Sequence, residues 1–230
     1  MWWPGLLLDI CWGSLNDIRN FITIIYYRGA MIKVITVLRS GGDYERIHVE
    51  KIRNMVELHV SEFEFICLTD SPTEEYDRPL KHDWPGWWAK MEMFNIRGPA
   101  IFFDLDTIIT SNIDDIIESV KNEEFVTLRD AYRVKAGSKI QSAIMSWSKN
   151  VSYLYRAFAK DDKRFIRELR GDQDFIQQIA KGNTFIQDYS SSIVSFKANI
   201  QHGRLYDPTL HKIVFFHGVP RPWDQRVIPY

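Results

Sequence analysis

The feature that most constrains this chain is the stretch of residues 100–110, which reads Ala-Ile-Phe-Phe-Asp-Leu-Asp-Thr-Ile-Ile-Thr. Its first four residues are apolar and do not alternate with polar ones, which is typical of a strand buried on both faces. The apolar run ends in two carboxylates, Asp104 and Asp106. Because ligands bind at the carboxyl ends of the strands in open α/β sheets, the stretch predicts a site at this strand end.

The two carboxylates need a reason to lie close together, since like charges repel and burial disfavours the ionised form. Residues i and i+2 of a strand point the same way, so Asp104 and Asp106 could converge on one divalent cation that holds a phosphorylated substrate. The alternative is a plain junction of strand and turn, because Asp is also a common turn residue. The tripeptide alone leaves both interpretations open.

Composition indicates the size and class of the protein. A chain of 230 residues with 45% hydrophobic residues is expected to bury one sizeable core and to form one α/β domain. Its 29 Lys plus Arg nearly balance 30 Asp plus Glu, so neither nucleic acid nor an anionic membrane is expected as the main partner. Two distant cysteines, Cys11 and Cys67, make neither a disulfide framework nor a zinc pattern. This usage fits a reducing compartment, and we expect a cytoplasmic protein.

Residues 1–30 differ from the rest of the chain. Two apolar runs, residues 2–8 and 21–27, are shorter than the roughly 18 residues of a membrane span, so no transmembrane segment is predicted. No positively charged region with a cleavage site marks a signal peptide. Two explanations remain: a segment added at the protein surface or at a membrane interface, or an extension upstream of the real start. The second is preferred because Met31 opens the first core strand, and residues 31–230 are then the predicted domain.

Strand-like and helix-like patterns alternate along these remaining residues. The predicted strands cover residues 31–38, 63–68, 100–103, 124–128, 142–147, 192–196 and 212–216. The predicted helices cover residues 44–60, 89–96, 112–120, 151–158 and 175–180. Residues 76–88 are expected to form a loop, and the charged residues 160–170 a solvated face.

Four further segments carry residues that suit a binding site. The first strand opens into a glycine-containing loop, residues 38–44, as many nucleotide-binding sheets do, although Gly-Gly is also an ordinary loop. Lys90 precedes the central strand, but most lysines are simply solvated. Asp172 opens a helical pattern, where an N-cap role is an ordinary alternative. Residues 217–223 read His-Gly-Val-Pro-Arg-Pro-Trp, in which the histidine alone would be an ordinary loop residue.

Together these features resemble a small glycosyltransferase of the GT-A fold, closest to the glycogenin-like and bacterial lipopolysaccharide galactosyltransferase group. The resemblance rests on the alternating elements, the Asp-x-Asp and residues 217–223, and it runs from about Met31 to Trp223. It implies a single nucleotide-diphospho-sugar transferase domain with a mixed, mostly parallel central sheet flanked by helices. It also implies that a sugar moves, with retention of configuration, from a nucleoside-diphosphate sugar, expected to be a UDP-sugar. The acceptor is an unspecified carbohydrate, glycolipid or protein.

The resemblance also assigns roles to residues. In that family the Asp-x-Asp binds Mn²⁺, for which Mg²⁺ is a less specific substitute, and the metal bridges the diphosphate of the donor. Carried onto this chain, the metal ligands are Asp104, Asp106 and His217. The donor contacts for base and ribose are Leu38, Ser40, Asp43 and Tyr44. The contacts for the rest of the nucleotide sugar are Lys90, Asp104, Gly218 and Arg221. The residues at the transferred sugar, and the catalytic candidates, are Asp172, Gln173 and Asp174.

This chain departs from the family in its last motif, and the departures bear on the phosphate contacts. Gly218 follows His217 directly, whereas the family has two residues between them, and Arg221 stands where the family has Lys. The chemistry still agrees, because negative charge builds on the β-phosphate oxygen as the sugar leaves, and a divalent cation with an arginine stabilises that charge. Carboxylates with one imidazole suit Mn²⁺, and a guanidinium binds phosphate through two parallel hydrogen bonds.

Two other classes of protein remain as alternatives. A phosphatase of the haloacid dehalogenase type would use Asp104 as its nucleophile, since residues 103–107 look like that motif. The motif's glycine is missing, however, and several elements precede the strand that should come first. A non-catalytic sugar-binding relative is the third class, in which Trp84, Trp87, Trp88 and Trp223 would stack on sugar rings. Aromatic residues of this size are more often packing anchors.

Overall fold

The computed structural model describes residues 31–130, 139–182, 184–201 and 206–230, and strands alternate with helices along them. The strands are β1 (Ile32–Leu38), β2 (Phe63–Thr69), β3 (Asp77–Pro79), β4 (Ala100–Phe103), β5 (Thr107–Ile109), β6 (Val126–Arg129), β7 (Ile140–Trp147), β8 (Thr184–Phe185), β9 (Ile193–Ser195) and β10 (Ile213–Phe215). The α-helices are α1 (Arg46–His59), α2 (Asp114–Val120), α3 (Ser152–Lys160), α4 (Asp162–Glu168) and α5 (Asp172–Ile179). Gly86–Asn95, Ile186–Asp188 and Pro222–Asp224 form 3₁₀ helices, and Phe196–Ile200 forms a π-helical turn.

Within the described residues, seven strands form the central sheet in the order β3-β2-β1-β4-β7-β6-β8. The neighbours β3 and β2, β2 and β1, β1 and β4, and β6 and β8 run parallel. Strand β7 runs antiparallel to both β4 and β6. The predicted mixed, mostly parallel sheet flanked by helices is confirmed.

Strand β4 is buried on both faces, as its unbroken apolar pattern predicts. Phe103 packs into the core on one face together with Val34 of β1, and Phe102 packs into the core on the other face together with Ile35. Helix α1 covers the first face through Val49, Ile52 and Val56, which recur at helical spacing. Helix α3 and the 3₁₀ helix Gly86–Asn95 cover the second face. The end of β4 is thereby fixed between two layers.

A second, smaller sheet begins directly after the two carboxylates. In the part of the chain that the structure describes, it has the order β5-β10-β9, with β5 antiparallel and β9 parallel to β10. The sequence pattern assigned no element to residues 107–109, because a strand of three residues shows too little periodicity to be recognised. The pairing of β5 with β10 places the C-terminal residues 217–223 next to the end of β4.

Three sequence expectations need correction. Residues 76–88 are not one loop, since they contain β3, whose Asp77 pairs with Cys67 of β2, and the start of the 3₁₀ helix. Asp172 is the first residue of α5 rather than its N-cap, which is Gly171. The charged residues 160–170 are not only a solvated face, since they include helix α4, whose Phe165 is buried and whose Ile166 packs against the core. Other predicted boundaries differ from the observed ones by a few residues.

The expectations for residues 1–30 lie outside the described residues. Among the residues that are described, no helix combines the length and the apolar character needed to cross a membrane.

A buried carboxylate anchors the segment that leads into the 3₁₀ helix. Glu92 accepts hydrogen bonds from the backbone N–H of Lys81 at 2.8 and 3.0 Å and from that of His82 at 2.7 Å. We expect Glu92→Ala to lower the free energy of unfolding by about 2 kcal/mol, because it removes charge-assisted bonds and leaves two N–H groups unpaired. Urea unfolding measures the loss.

The matched control is Glu64→Ala. Glu64 forms an ion pair with Arg78 in which the side chains are 43% and 48% exposed, so we expect a loss below about 1 kcal/mol. Equal losses in the two variants would contradict the anchoring role of Glu92.

Candidate active site

A cavity of about 670 Å³ opens at the carboxyl end of β4. The predicted site residues that line it are Asp43, Tyr44, Lys90, Asp104, Asp106, Asp172, Gln173, Asp174, His217, Gly218 and Arg221. The described lining does not include Leu38 or Ser40. Leu38 is buried in the core as the last residue of β1, and Ser40 donates its backbone N–H and its hydroxyl to Oδ1 of Asp70, both at 3.0 Å.

Asp104 and Asp106 lie in a tight turn, not on a strand. The backbone N–H of Thr107 donates to the carbonyl of Asp104 at 3.0 Å, which closes the turn between β4 and β5. The expectation that strand geometry aligns the two side chains is therefore wrong, because the chain must turn here to pass from one sheet to the other. Both carboxylates nevertheless face the same cavity.

Lys90 holds the first carboxylate. Its Nζ lies 2.6 Å from Oδ1 and 2.8 Å from Oδ2 of Asp104, and 3.5 Å from Oδ2 of Asp172. The hydroxyl of Ser142 on β7 donates to the same Asp172 oxygen at 2.8 Å. Burial raises the pKa of Asp104 to about 7; Lys90 opposes this rise, and the nearby carboxylates add to it. Burial acts to lower the pKa of Lys90, but the two carboxylates raise it overall.

Arg221 and Tyr44 hold the second carboxylate. Oδ2 of Asp106 accepts a hydrogen bond from Nη1 of Arg221 and one from the phenol of Tyr44, each at 2.7 Å. Nη2 of Arg221 also donates to Asp43 at 2.9 Å. Burial raises the pKa of Asp106, against the lowering effect of Tyr44 and Arg221. Oδ1 of Asp106 is buried and accepts no hydrogen bond from the described residues.

The end of β10 brings His217 and Gly218 to the same cavity. Nε2 of His217 lies 3.0 Å from the hydroxyl oxygen of Ser195, at the end of β9. Gly218 has a φ of 67°, which favours glycine, and a Cβ there would lie 3.5 Å from Nζ of Lys197. The close packing therefore places a lysine beside the backbone of Gly218.

The residues predicted at the transferred sugar begin helix α5. Asp172 and Gln173 are buried, and the side-chain amide of Gln173 donates to Asp130 at 3.0 Å. Asp174 is paired with Arg170 at 2.8 Å. Helix α5 thus presents buried polar groups to the interior of the cavity and an ion pair to its rim.

Sequence reasoning missed several residues that line the cavity: Arg39, Trp87, Asp130, Gln141, Ser142, Arg170 and Lys197. Arg39 could have been suspected, because it belongs to the loop already singled out. Trp87 was considered only as one of several tryptophans. Ser142 and Lys197 belong to no recognisable motif, and only the folding of β7 and the π-helical turn brings them to the site.

Among the described residues, no three His, Cys, Asp or Glu side chains lie close enough together to hold a metal ion. The cations of Lys90 and Arg221 instead neutralise the two carboxylates. A metal ion would therefore compete with Lys90 for the oxygens of Asp104 and with Arg221 for Oδ2 of Asp106, whereas Oδ1 of Asp106 contacts neither cation.

No protein-family model matches the chain, and no curated protein matches it. The chain is similar to the crystal structure of the glycosyltransferase GlyE of Streptococcus pneumoniae TIGR4, with a TM-score of 0.62 and 14% identity over 85% of this chain and 57% of that chain. For the apo form of GlyE the TM-score is 0.57 and the identity 13%, over 85% of this chain and 56% of that chain. For a glycosyltransferase involved in the glycosylation of the major capsid of PBCV-1, the TM-score is 0.50 and the identity 10%, over 80% of this chain and 93% of that chain.

These similarities show a glycosyltransferase fold. The chain spans a little more than half the length of GlyE, 57% of it. The closer assignment to the lipopolysaccharide galactosyltransferase group stays a prediction.

The raised pKa of Asp104 makes the stability of the fold depend on pH. Its pKa in the folded protein, about 7, exceeds the ordinary 3.8, so between these values the folded state keeps a proton that the unfolded state has lost. Stability from this group is therefore fully present below the lower value and falls as pH rises toward the upper one. We expect the free energy of unfolding of the wild-type chain to fall by about 2 kcal/mol as the pH rises from about 5 to about 8. Asp104→Asn cannot ionise, so it should gain that amount of stability relative to the wild-type chain over the same range.

Urea unfolding in the presence of a chelator measures this difference. The control is Asp114→Asn: burial acts to raise the pKa of Asp114, but hydrogen bonds from Ser61 and Asn112 lower it overall. It titrates below the tested range and should show no gain. A gain of the same size in both variants, or none in Asp104→Asn, would show that Asp104 does not carry the effect.

Proposed function

We propose that this protein is a metal-dependent glycosyltransferase that moves a sugar from a nucleoside-diphosphate sugar to an acceptor hydroxyl. In the reaction, the bond from the anomeric carbon to the β-phosphate oxygen breaks, and a bond from the acceptor oxygen to that carbon forms. The hydroxyl proton passes to the released diphosphate or to water. The observation that carries the proposal is the pair Asp104 and Asp106, which faces a cavity in a glycosyltransferase fold together with Lys90 and Arg221.

The charges around the cavity suit a diphosphate that binds together with a metal ion, because five Lys and Arg side chains and six Asp side chains line the cavity. Arg39, Lys197 and Arg221 line it in addition to Lys90. Arg221 is positioned by Asp43 and Asp106. Because its guanidinium is already held in place, it can donate N–H groups to phosphate oxygens without a large loss of side-chain entropy. Fixed positive groups of this kind stabilise the charge that develops on a leaving diphosphate.

The donor set is suited to Mn²⁺, with Mg²⁺ as the less specific choice. The buried Oδ1 of Asp106, which accepts no hydrogen bond from the described residues, is a vacant acceptor of the kind that a cation satisfies. Asp104 and Asp106 would hold the metal, and His217 would join them. When bound, the ion would supply positive charge to the diphosphate oxygens.

The two ends of the cavity suit the two ends of the donor. The loop with Asp43 and Tyr44 would contact the nucleoside, for which uridine is proposed. Buried Asp172 and Gln173 would accept and donate hydrogen bonds to the hydroxyls of the transferred sugar. Retention of configuration is proposed from the family resemblance, and the coupling constant of the anomeric proton in the product checks it.

The phosphatase alternative is less well supported. Asp104 is paired with Lys90 at 2.6 Å, whereas a nucleophile must approach a phosphorus atom, and the similar solved structures are glycosyltransferases. Turnover of a simple phosphomonoester through an aspartyl-phosphate on Asp104 would favour that alternative. A non-catalytic sugar-binding protein would bind ligands without any turnover.

The role of Asp106 gives a direct test. We expect UDP with Mn²⁺ to raise the melting temperature of the wild-type chain, because a ligand that binds only the folded state stabilises it. Asp106→Asn should lose the Mn²⁺-dependent part of this shift and lower donor turnover by about a hundredfold or more. Asp188→Asn, an exposed partner of Arg129, is the control and should behave as wild type. Full activity in excess chelator would rule out the metal.

Arg221 and His217 should act on the same diphosphate in different ways. We expect Arg221→Ala to weaken UDP binding by about 2 kcal/mol, typical of a charge-assisted contact, without weakening Mn²⁺ binding in the absence of nucleotide. Arg221→Lys should restore part of the loss, and His217→Ala should chiefly raise the Mn²⁺ requirement. Calorimetric titrations of each variant with Mn²⁺ and with UDP measure both effects. Wild-type constants in both alanine variants would mean that residues 217–223 are structural.

A further inference from the structure

Four tryptophans were considered as stacking residues for sugar rings, and only Trp87 is among the described residues that line the cavity. Trp84 and Trp88 are 3% and 4% exposed and pack against Phe158, so they are core anchors. Trp223 is 39% exposed, but its ring lies against those of Tyr44 and His48. Trp87 is 53% exposed and lines the cavity.

Trp87 is held in a defined position at the rim. Residues i and i+3 of a 3₁₀ helix lie on the same side, so Trp87 and Lys90 face the cavity one turn apart, about 6 Å along the helix axis. The indole rests against the backbone before α5, where a Cβ on Gly171 would lie 3.2 Å from Nε1 of Trp87. Any larger residue at 171 would displace the ring.

The neighbours of Trp87 have the chemistry of a saccharide subsite. Gly171 is flanked by Arg170, whose guanidinium donates to Asp174 at 2.8 Å, and by the buried Asp172. Both Arg170 and Asp174 line the cavity with Trp87. An apolar ring face beside a few charged hydrogen-bonding groups matches a sugar, which has an apolar face and a rim of hydroxyls.

We propose that Trp87 is the stacking platform for the acceptor, and that the acceptor is a saccharide. This inference rests on the proposed function, because it assigns the second substrate of the same site. The ring lies at the open rim beside the start of α5, whereas the residues proposed for the transferred sugar are buried. A molecule that enters from solvent after the donor therefore meets Trp87 first, with its attacking hydroxyl directed inward along the face that Trp87 shares with Lys90.

The test compares Trp87→Ala and Trp87→Phe with the wild-type chain. The control is Tyr189→Ala, since Tyr189 is 41% exposed and is not among the cavity residues. Release of UDP from UDP-glucose, UDP-galactose and UDP-N-acetylglucosamine is measured with Mn²⁺, first with water alone and then with lactose, maltose or cellobiose. Binding of the same three disaccharides is measured separately by saturation-transfer NMR.

We expect Trp87→Ala to lower kcat/KM for the saccharide by about tenfold or more, the size of one lost stacking contact, while hydrolysis of the donor by water stays within about twofold. Trp87→Phe should recover most of the transfer rate, because it keeps an aromatic face. The saturation-transfer signal of the saccharide should weaken in Trp87→Ala only.

The other outcomes overturn the inference or separate it from the proposed function. Equal losses of hydrolysis and transfer in Trp87→Ala would make Trp87 a donor contact, and a loss no larger than in Tyr189→Ala would remove its role. Absence of saccharide binding to the wild-type chain would also reject the platform. Saccharide binding that depends on Trp87 without turnover of any donor would keep the platform and reject the proposed transferase.

Discussion

The arrangement of the cavity depends on the neutralisation of two carboxylates, the buried Asp106 and the partly buried Asp104. Taking Asp104 and Asp106 out of water is unfavourable unless each finds a cation or several hydrogen bonds. Lys90 lies 14 residues before Asp104 in the chain, and Arg221 lies 115 residues after Asp106. The two ion pairs therefore connect the 3₁₀ helix, the turn after β4 and the C-terminal segment, and the pairing of β5 with β10 also brings the last two together.

This neutralisation is incomplete, which is typical of a functional site. The pKa of Asp104 is raised to about 7 because burial outweighs the attraction of Lys90, and Asp106 and Asp172 add to the repulsion. Asp104 attracts Lys90 but repels Asp106 and Asp172, so its charge is not fully compensated within the fold. Perturbed groups that converge in a cavity indicate a site for chemistry, as here.

The sequence predicted the fold well because long-range packing leaves a local trace. Unbroken apolar runs identified β1, β2 and β4, and helical spacing identified α1 and α3. The sequence could not predict β3 or β5, because strands of three residues depend on pairing with partners distant in the chain.

At the site, motif residues such as Asp104, Asp106 and Arg221 were recognisable, whereas Ser142 and Lys197 reach the cavity only through tertiary structure. For Asp104 and Asp106 the sequence left strand geometry and a strand-to-turn junction both open, because the second sheet that requires the turn was not visible.

The two oxygens of Asp106 show how the chain divides a single carboxylate between folding and ligand binding. Oδ2 accepts from Arg221 and Tyr44, and these contacts tie the C-terminal segment to the loop after β1. Oδ1 is buried and accepts no hydrogen bond from any described residue. A buried acceptor without a donor is unfavourable in the free protein, so a ligand that satisfies it gains affinity that an already paired oxygen would not provide. Because Arg221 also contacts this carboxylate, Asp106 and Arg221 would together hold the metal-bound diphosphate of the proposed function, the carboxylate supplying an acceptor and the guanidinium supplying donors.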